Sequence, residues 1–337
     1  MIRDYKISVV IATYNRSSSV RRILEALSAQ TFPADNYEVI ISIDGSNDET
    51  RATVDNYESN YKLRSIWHPN SGRASACNRG IRAATGKIIV ILDDDMEPAP
   101  GLLAAHYDLH KSRSGLGVVG AVPIKVGKAS PPVVRYVGAK FNSHLDKISA
   151  PGYRMRIRDF YSGNFSIGRE DMLRHGMYNE EFKIYGNEDV ELAYRLLKAG
   201  IVLVYSSEAL CIQNYDKDFG GLAKDTVSKG RNAVLLCTQY PDTLPELKLA
   251  EYNTSGWKWR MLRYILIRAG VMVPATSDAV VSIVRSIQSL SISNRIFVEK
   301  IYPLALDYFF WLGVWSALKS DKNGDDLIER IKSYDNS

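Results

Sequence analysis

Residues 88–95 read Ile-Ile-Val-Ile-Leu-Asp-Asp-Asp, five apolar residues running straight into three carboxylates. A run this short and this apolar, without polar alternation, is the pattern of a strand buried on both faces of a parallel sheet. Its acidic end falls at the strand's carboxyl terminus, where the loops of open α/β sheets converge and ligands bind. Three adjacent carboxylates repel one another unless something positive sits among them. A hard cation such as Mg²⁺ or Mn²⁺ suits them, because it takes one or two protein carboxylates and completes its shell with phosphate oxygens and water. In an extended segment alternate side chains share a face, so Asp93 and Asp95 are expected together and Asp94 apart. An exposed acidic turn is the plainer alternative; the apolar run before the triplet and Pro98 and Pro100 after it favour a shaped site.

Upstream, β-branched runs alternate with helical patterns. Strands are expected over 6–12, 37–43 and 63–67, and helices over 18–29, 48–57 and 74–84, with Ser17 or Ser18 capping the first. Such alternation builds a mostly parallel sheet through right-handed crossovers. Thr13-Tyr14-Asn15-Arg16 and Asp44-Gly45-Ser46-Asn47-Asp48 then fall at the same sheet edge as the aspartates.

Downstream the alternation weakens beyond Pro123, and residues 152–158 read as an irregular basic connection before a strand over 160–167. A helix over 188–199 is stopped by Gly200. Glu188 and Asp189 open it, and acids at a helix N-terminus are favoured simply because they complement the dipole. The close-approach pairs Gly163-Asn164 and Gly186-Asn187 on either side give them a second reading, as part of a site. Residues 115–120 satisfy GxGxxG but follow a helix and run into an apolar strand, the wrong order for a dinucleotide fingerprint. Neither a Walker lysine loop nor a nucleophile elbow occurs.

The 337 residues suffice for one large α/β domain and an appendage, and 45% hydrophobic with 24% charged residues argues against extensive disorder. Cys77, Cys211 and Cys237 are widely spaced and outside any CxxC pattern, which suggests neither disulfides nor zinc and fits a reducing, cytoplasmic setting. The net charge of +5 is scattered, so nucleic acid is not expected as a partner, whereas an anionic small substrate or membrane surface is compatible. The charged start, residues 1–6, lacks the apolar core of a signal peptide. Residues 301–318 are the most apolar stretch, but Pro303 and Asp307 point to a buried or interfacial helix. Trp257, Trp259, Arg260, Arg263, Tyr264 and Arg268 interleave aromatic and basic residues. That pattern suits peripheral contact with the inner face of a membrane and, equally, packing on the α/β domain.

These segments together resemble the family 2 glycosyltransferases of the GT-A fold over roughly the first 210 residues. Residues 8–16 look like the family's opening strand and nucleotide loop, and residues 44–50 its DGSxDxT segment. Residues 92–95 match its DxD element, residues 162–165 its acceptor-side loop, and Glu188-Asp189 with Arg195 and Gly200 its ED…R…G element. The resemblance implies a GT-A, Rossmann-like catalytic domain over 1–215, with a nucleotide-sugar half over about 1–122 and an acceptor half over about 123–215. A helical region over 216–337 follows. It also implies roles. Thr13, Asn15 and Asp44 would hold base and ribose, with Tyr14, Arg16, Asn78 and Asp94 among the donor contacts. Asp93 would meet ribose or donor sugar, Asp95 the metal, and Gly163 and Asn164 the acceptor. Asp189 would be the general base, with Glu188 beside it. Residues 70–80 follow the family's NxGxxxARNxG segment except that Cys77 replaces an arginine, so Arg73 or Arg79 would supply that charge. The implied activity is inverting transfer from a nucleotide-sugar donor, of UDP-sugar type, to a saccharide or lipid-linked acceptor. A non-catalytic binding module and a sugar-1-phosphate nucleotidyltransferase remain the alternatives.

Overall fold

A computed structural model describes residues 5–111, 113–273, 275–290, 295–320 and 324–334, so residues 1–4 of the charged start lie outside it. The chain forms two compact units, one of residues 1–127, 137–183 and 188–215, the other of residues 128–136, 184–187 and 216–337.

The first unit runs β1 (Ile7–Thr13), α1 (Ser17–Ser28), β2 (Tyr37–Asp44), α2 (Thr50–Asp55), β3 (Lys62–His68), α3 (Arg73–Ala83) and β4 (Ile88–Asp93). It continues through β5 (Met96–Pro98), α4 (Leu102–His110), β6 (Leu116–Gly120), α5 (Pro132–Ile148), which reaches into both units, and β7 (Asn164–Gly168). It closes with α6 (Arg169–Arg174), α7 (Glu188–Lys198), β8 (Val202–Ser206) and β9 (Cys211–Gln213). Seven strands make one sheet in the order β3-β2-β1-β4-β7-β6-β8, and β5 pairs with β9 separately. β3, β2, β1 and β4 are mutually parallel, as are β6 and β8; β7 is antiparallel to both its neighbours. This is the mostly parallel, helix-flanked sheet that the alternation implied.

Strand periodicity splits the core into two layers. Ile7, Val9, Ile11, Val39 and Ile41 pack with Val20, Ile23, Leu24 and Leu27 of α1. Val10, Ile40, Ile89 and Ile91 pack on the other face with Ala74, Cys77 and Ile81 of α3 and Leu192 and Leu196 of α7. One acid of β2 is buried on the second of these faces, beside Ile40. Glu38 of β2 is 1% exposed and accepts from Ser8 Oγ at 2.7 Å, from Thr85 N at 2.8 Å and from Thr85 Oγ1 at 2.7 Å, with Arg64 at 3.4 Å. Burial alone would raise its pKa; these donors and Arg64 outweigh it and hold the carboxyl below its ordinary value.

The structure corrects several local expectations. Arg16, not Ser17 or Ser18, is the N-cap of α1, and the start of that helix is held from outside, with Arg16 N donating to Thr50 Oγ1 (2.9 Å) and Ser17 N to Asp48 Oδ2 (3.3 Å). Asp48 thereby belongs to a turn, and α2 begins only at Thr50. β7 begins at Asn164 rather than near 160, because β4 offers pairing only up to Leu92↔Asn164 and a 3₁₀ turn occupies Ile157–Asp159. α5 is a helix that the weakening pattern after Pro123 did not reveal.

The second unit is built on α8 (Phe219–Gln239), α9 (Trp257–Met272), α10 (Ala275–Leu290), α11 (Arg295–Leu318) and α12 (Gly324–Ser333). α8 and α11 touch backbone to backbone: a Cβ on Gly230 would lie 2.1 Å from Phe310 O, and one on Gly313 2.0 Å from Val227 O. Tyr302, Tyr308, Phe309, Trp311 and Val314 of α11 are buried. Residues 300–318 are long and apolar enough to cross a membrane, yet half of that stretch is enclosed by the unit, so α11 is its core helix. Asp307 of α11 gathers Arg263 Nη1 (2.9 Å), Trp259 Nε1 (2.9 Å) and Lys248 Nζ (3.1 Å).

Candidate active site

Three strands of the first unit end at one edge, and their loops are tied together. Asn15, at a left-handed φ of 51°, accepts from Asn47 N through Oδ1 (2.9 Å) and donates its own N–H to Ser46 Oγ (2.9 Å). The β1 and β2 loops are thus clasped, leaving Tyr14 49% exposed and Asn15 exposed at the rim. Thr13 is buried and donates to Asp94 Oδ2 at 2.7 Å, and Arg16 Nε lies 4.0 Å from Asp94 Oδ1.

The aspartate triplet fans out. β4 ends at Asp93, and Asp94 and Asp95 form the turn into β5, so the alternation expected of an extended segment does not run through them. Asp93 turns to Arg73, Asp94 to Thr13 and Arg16, and Asp95 accepts from Gln213 Nε2 of β9 at 3.2 Å. Burial pushes the Asp94 carboxyl up to about 6; Thr13 and Arg16 work against this, and Asp95 and Asp93 add to it.

Arg73, the first residue of α3, is the hub. Its Nε and Nη2 donate to Asp93 Oδ1 at 3.1 and 2.6 Å, Nη2 also to Ser162 Oγ at 3.2 Å, and Nη1 stands 3.7 Å from Glu188 Oε1. The guanidinium lies 5.5 Å from the centre of the Tyr178 ring. Burial opposes its charge, but Asp93 foremost among its anionic neighbours holds the pKa well above the ordinary arginine value. Of the two arginines that could stand in for the one lost at Cys77, it is Arg73 that joins the acids, while Arg79 is exposed. Cys77 is buried against it, its thiol pushed up to about 11 by burial.

Gly163 and Glu188 complete this cluster. Asp93 N donates to Gly163 O at 3.0 Å, and a Cβ at 163 would sit 2.6 Å from Asp93 Oδ2, so a side chain there would push that carboxylate aside. Gly186 and Asn187 are both left-handed, at φ 111° and 66°, and turn the chain sharply into α7. Glu188 is 3% exposed, while Asp189 is half-buried and accepts from Val190 N at 2.9 Å. Arg195 anchors the helix: it grips Glu191 at 2.7 and 2.8 Å and donates to the carbonyls of His175 and Met177.

Three residues expected at the ligand are instead turned into the protein. Asp44 is 5% exposed and accepts from Ser71 N (2.7 Å) and Gly72 N (3.0 Å), fixing the loop into α3. Asn78 is 1% exposed; it donates to Tyr178 O (2.9 Å) and Glu180 Oε1 (2.8 Å) and accepts from Tyr178 N (2.9 Å). Asn164 is fully buried, its amide nitrogen on Ala121 O (3.2 Å) and Ala209 O (2.8 Å), which leaves its oxygen to accept from His106 Nε2 at 2.9 Å. That fixes the His106 tautomer, so Nδ1 accepts from Ser166 Oγ at 2.7 Å, and Ser166 in turn accepts from His110 Nε2 at 2.8 Å. A polar side chain at a strand end looks the same in sequence whether it faces a ligand or a neighbouring loop.

Gln213 and Tyr178 were missed. Both sit in short segments without periodicity, and only the β5–β9 pairing and the fold of residues 175–178 bring them to the aspartates and to Arg73.

The description "Glycosyl transferase family 2" matches residues 8–176, and "N-terminal domain of galactosyltransferase" matches residues 143–221. The chain belongs to glycosyl transferase family 2. It is similar to validoxylamine A glucosyltransferase of Streptomyces hygroscopicus subsp. jinggangensis, 32% identical over 61% of this chain and 55% of that one. It is also similar to poly-β-1,6-N-acetyl-D-glucosamine synthase of Staphylococcus epidermidis, 26% identical over 73% of this chain and 59% of that one. The chain therefore spans little more than half the length of these relatives. A mannosyltransferase of Pyrobaculum calidifontis, solved with GDP-Man and Mn²⁺, shares the fold with a TM-score of 0.60 at 18% identity, over 95% of this chain and 88% of that one.

Proposed function

We propose that this chain transfers a sugar, with inversion, from a nucleoside diphosphate donor of UDP-sugar type to the hydroxyl of a saccharide or lipid-linked acceptor. The observation that carries the proposal is Arg73, whose guanidinium joins the acidic tip of β4 to the start of α7. Inversion needs an activated acceptor oxygen on one face of the anomeric carbon and a stabilised leaving group on the other. Asp189 takes the acceptor proton, and Glu188, held near Arg73, fixes the turn of helix that presents it. Tyr14, Asn15 and Arg16 meet the nucleotide from the exposed end of β1. Thr13, Asp44, Asn78 and Asn164 hold the surrounding loops. Asp93 faces ribose or donor sugar with Arg73 restraining its carboxylate, and Gly163 leaves room beside it.

The donor set at the tip is all carboxylate. Among the described residues no group of three His, Cys, Asp or Glu is gathered so as to hold a metal ion by itself, so phosphate oxygens and water would have to supply most of its shell. Asp95 would hold Mg²⁺ or Mn²⁺, and such a cation, when bound, offsets charge on the departing diphosphate. The GDP-Man and Mn²⁺ of the Pyrobaculum neighbour support this assignment. Free, buried Cys77, Cys211 and Cys237 suit the reducing cytoplasmic side of a membrane, where nucleotide sugars are to hand.

The test is a panel of nucleotide sugars with a saccharide acceptor, with Mn²⁺, Mg²⁺ or chelator. Nucleoside diphosphate release that needs metal and is lost in Asp95→Ala is expected. Full turnover in chelator would remove the metal role, and pyrophosphate release from a nucleoside triphosphate would overturn transferase chemistry in favour of nucleotidyl transfer.

A further inference from the structure

The outward face of α9 is more apolar than the face it buries. Arg263, Ile267 and Gly270 point into the second unit, where Arg263 is neutralised by Asp307. Outward stand Trp257, Met261, Leu262, Tyr264, Ile265 and Met272, each between 45% and 78% exposed. Trp257, Met261, Ile265, Arg268 and Met272 recur at spacings of three and four, which lays them along one line of a 16-residue helix, roughly 24 Å long at 1.5 Å per residue. A water-facing helix ordinarily reverses this pattern.

The charge on that face has one sign. α9 contains Lys258, Arg260, Arg263 and Arg268 and no carboxylate. Lys258 and Arg268 are exposed among the apolar side chains, each against an aromatic ring, Trp257 at 5.8 Å and Tyr264 at 5.1 Å. Cations on long stems beside inserted aromatic and aliphatic groups match the boundary between headgroups and acyl chains, where the stems run along apolar surface and the charges reach lipid phosphates.

We infer that α9 is a docking helix that lies flat on an anionic lipid surface, with Trp257, Met261, Ile265 and Met272 inserted and Lys258 and Arg268 on the phosphates. This contact is independent of the transfer reaction: loss of one leaves the other intact.

The full chain should be mixed with vesicles of phosphatidylcholine alone or with an equal part of phosphatidylglycerol, and bound protein measured by flotation at low and high salt. Wild type is expected on the phosphatidylglycerol vesicles, with partitioning that weakens as salt rises. Met261→Gln/Ile265→Gln should reduce that partitioning about tenfold or more, and Lys258→Ser/Arg268→Ser about tenfold, the latter erasing the preference for anionic lipid. All four positions are exposed, so circular dichroism should match wild type and the loss be specific. No partitioning at low salt, or undiminished partitioning in both variants, overturns the inference. So does concentration-dependent dimerisation that Met261→Gln/Ile265→Gln abolishes in a chain that ignores vesicles, since the face would then serve a second copy.

Discussion

Arg73 donates to a single oxygen of Asp93, Oδ1, through both Nε and Nη2, at 3.1 and 2.6 Å. The other edge of the same guanidinium faces Glu188, so one side chain restrains acids that lie 95 positions apart in the chain.

Arg73→Met leaves Asp93 and Glu188 without their cation, and the loss of stability should be about 1–2 kcal/mol, short of the scale for a fully buried pair because the Arg73 and Asp93 side chains remain 22% and 36% exposed. Arg73→Lys keeps the charge but not the fork, and should recover most of the stability while transfer stays roughly 100-fold down. Urea unfolding and steady-state turnover of both variants check this; a Lys variant with full turnover would show that charge alone suffices.

Asp189→Asn preserves size and the start of α7 but cannot take a proton. Donor affinity, read by calorimetry, should stay within about threefold, while turnover falls by roughly 10² to 10⁴, the range for losing a general base. Unimpaired turnover would strike Asp189 from the mechanism.

Stability should decline between pH 6.5 and pH 4. Burial lowers His106 and His110 to about 4 from an ordinary 6.5, and the neutral tautomers are fixed by the chain from His110 through Ser166 and His106 to Asn164. The unfolded chain binds protons below pH 6.5 that the folded chain refuses down to about 4, so folding loses stability as pH falls across that window and is insensitive above it. For fully buried His106 the loss is about 3 kcal/mol at most. Unfolding midpoints at pH 7 and pH 4.5 should therefore converge in His106→Gln/His110→Gln relative to wild type; equal declines in the two proteins would contradict the assignment.

Glu38→Ala strips the acceptor from Ser8, Thr85 and Arg64 at the start of β2, and a loss of about 2–3 kcal/mol is expected for the unsatisfied donors left behind. Glu38→Gln, which retains an acceptor oxygen, should cost less. Chemical denaturation of the pair decides it.

β1, β2 and β4 are legible in the sequence because parallel strands enclosed on both faces are written as largely apolar runs, and their acidic or polar ends follow from where those runs stop, whereas β3, at the sheet edge, shows only the alternation of a half-exposed strand. The antiparallel course of β7 is not legible. Its apolar side chains would suit either direction, and only the pairing of Leu92 with Asn164 sets it. The choice between Arg73 and Arg79 is likewise hidden, since it depends on Gly72, at φ 91°, aiming the first turn of α3 at β4. Asp44, Asn78 and Asn164 were visible as polar groups at the right edge, but the direction in which each points depends on loops folded much later in the chain.

The reversed course of β7 has a consequence for biogenesis. A strand that begins where β4 ends sets Gly163 beside Asp93, and α7 adds Glu188 only after two further turns of chain. A nascent polypeptide that has emerged only as far as β4 already holds Arg73 for Asp93 and Thr13 and Arg16 for Asp94, but Gly163, Glu188 and Gln213, which close the cluster, follow Asp93 by 70, 95 and 120 residues. The acidic cluster is therefore completed late in synthesis, by segments far downstream of the strand that carries its aspartates.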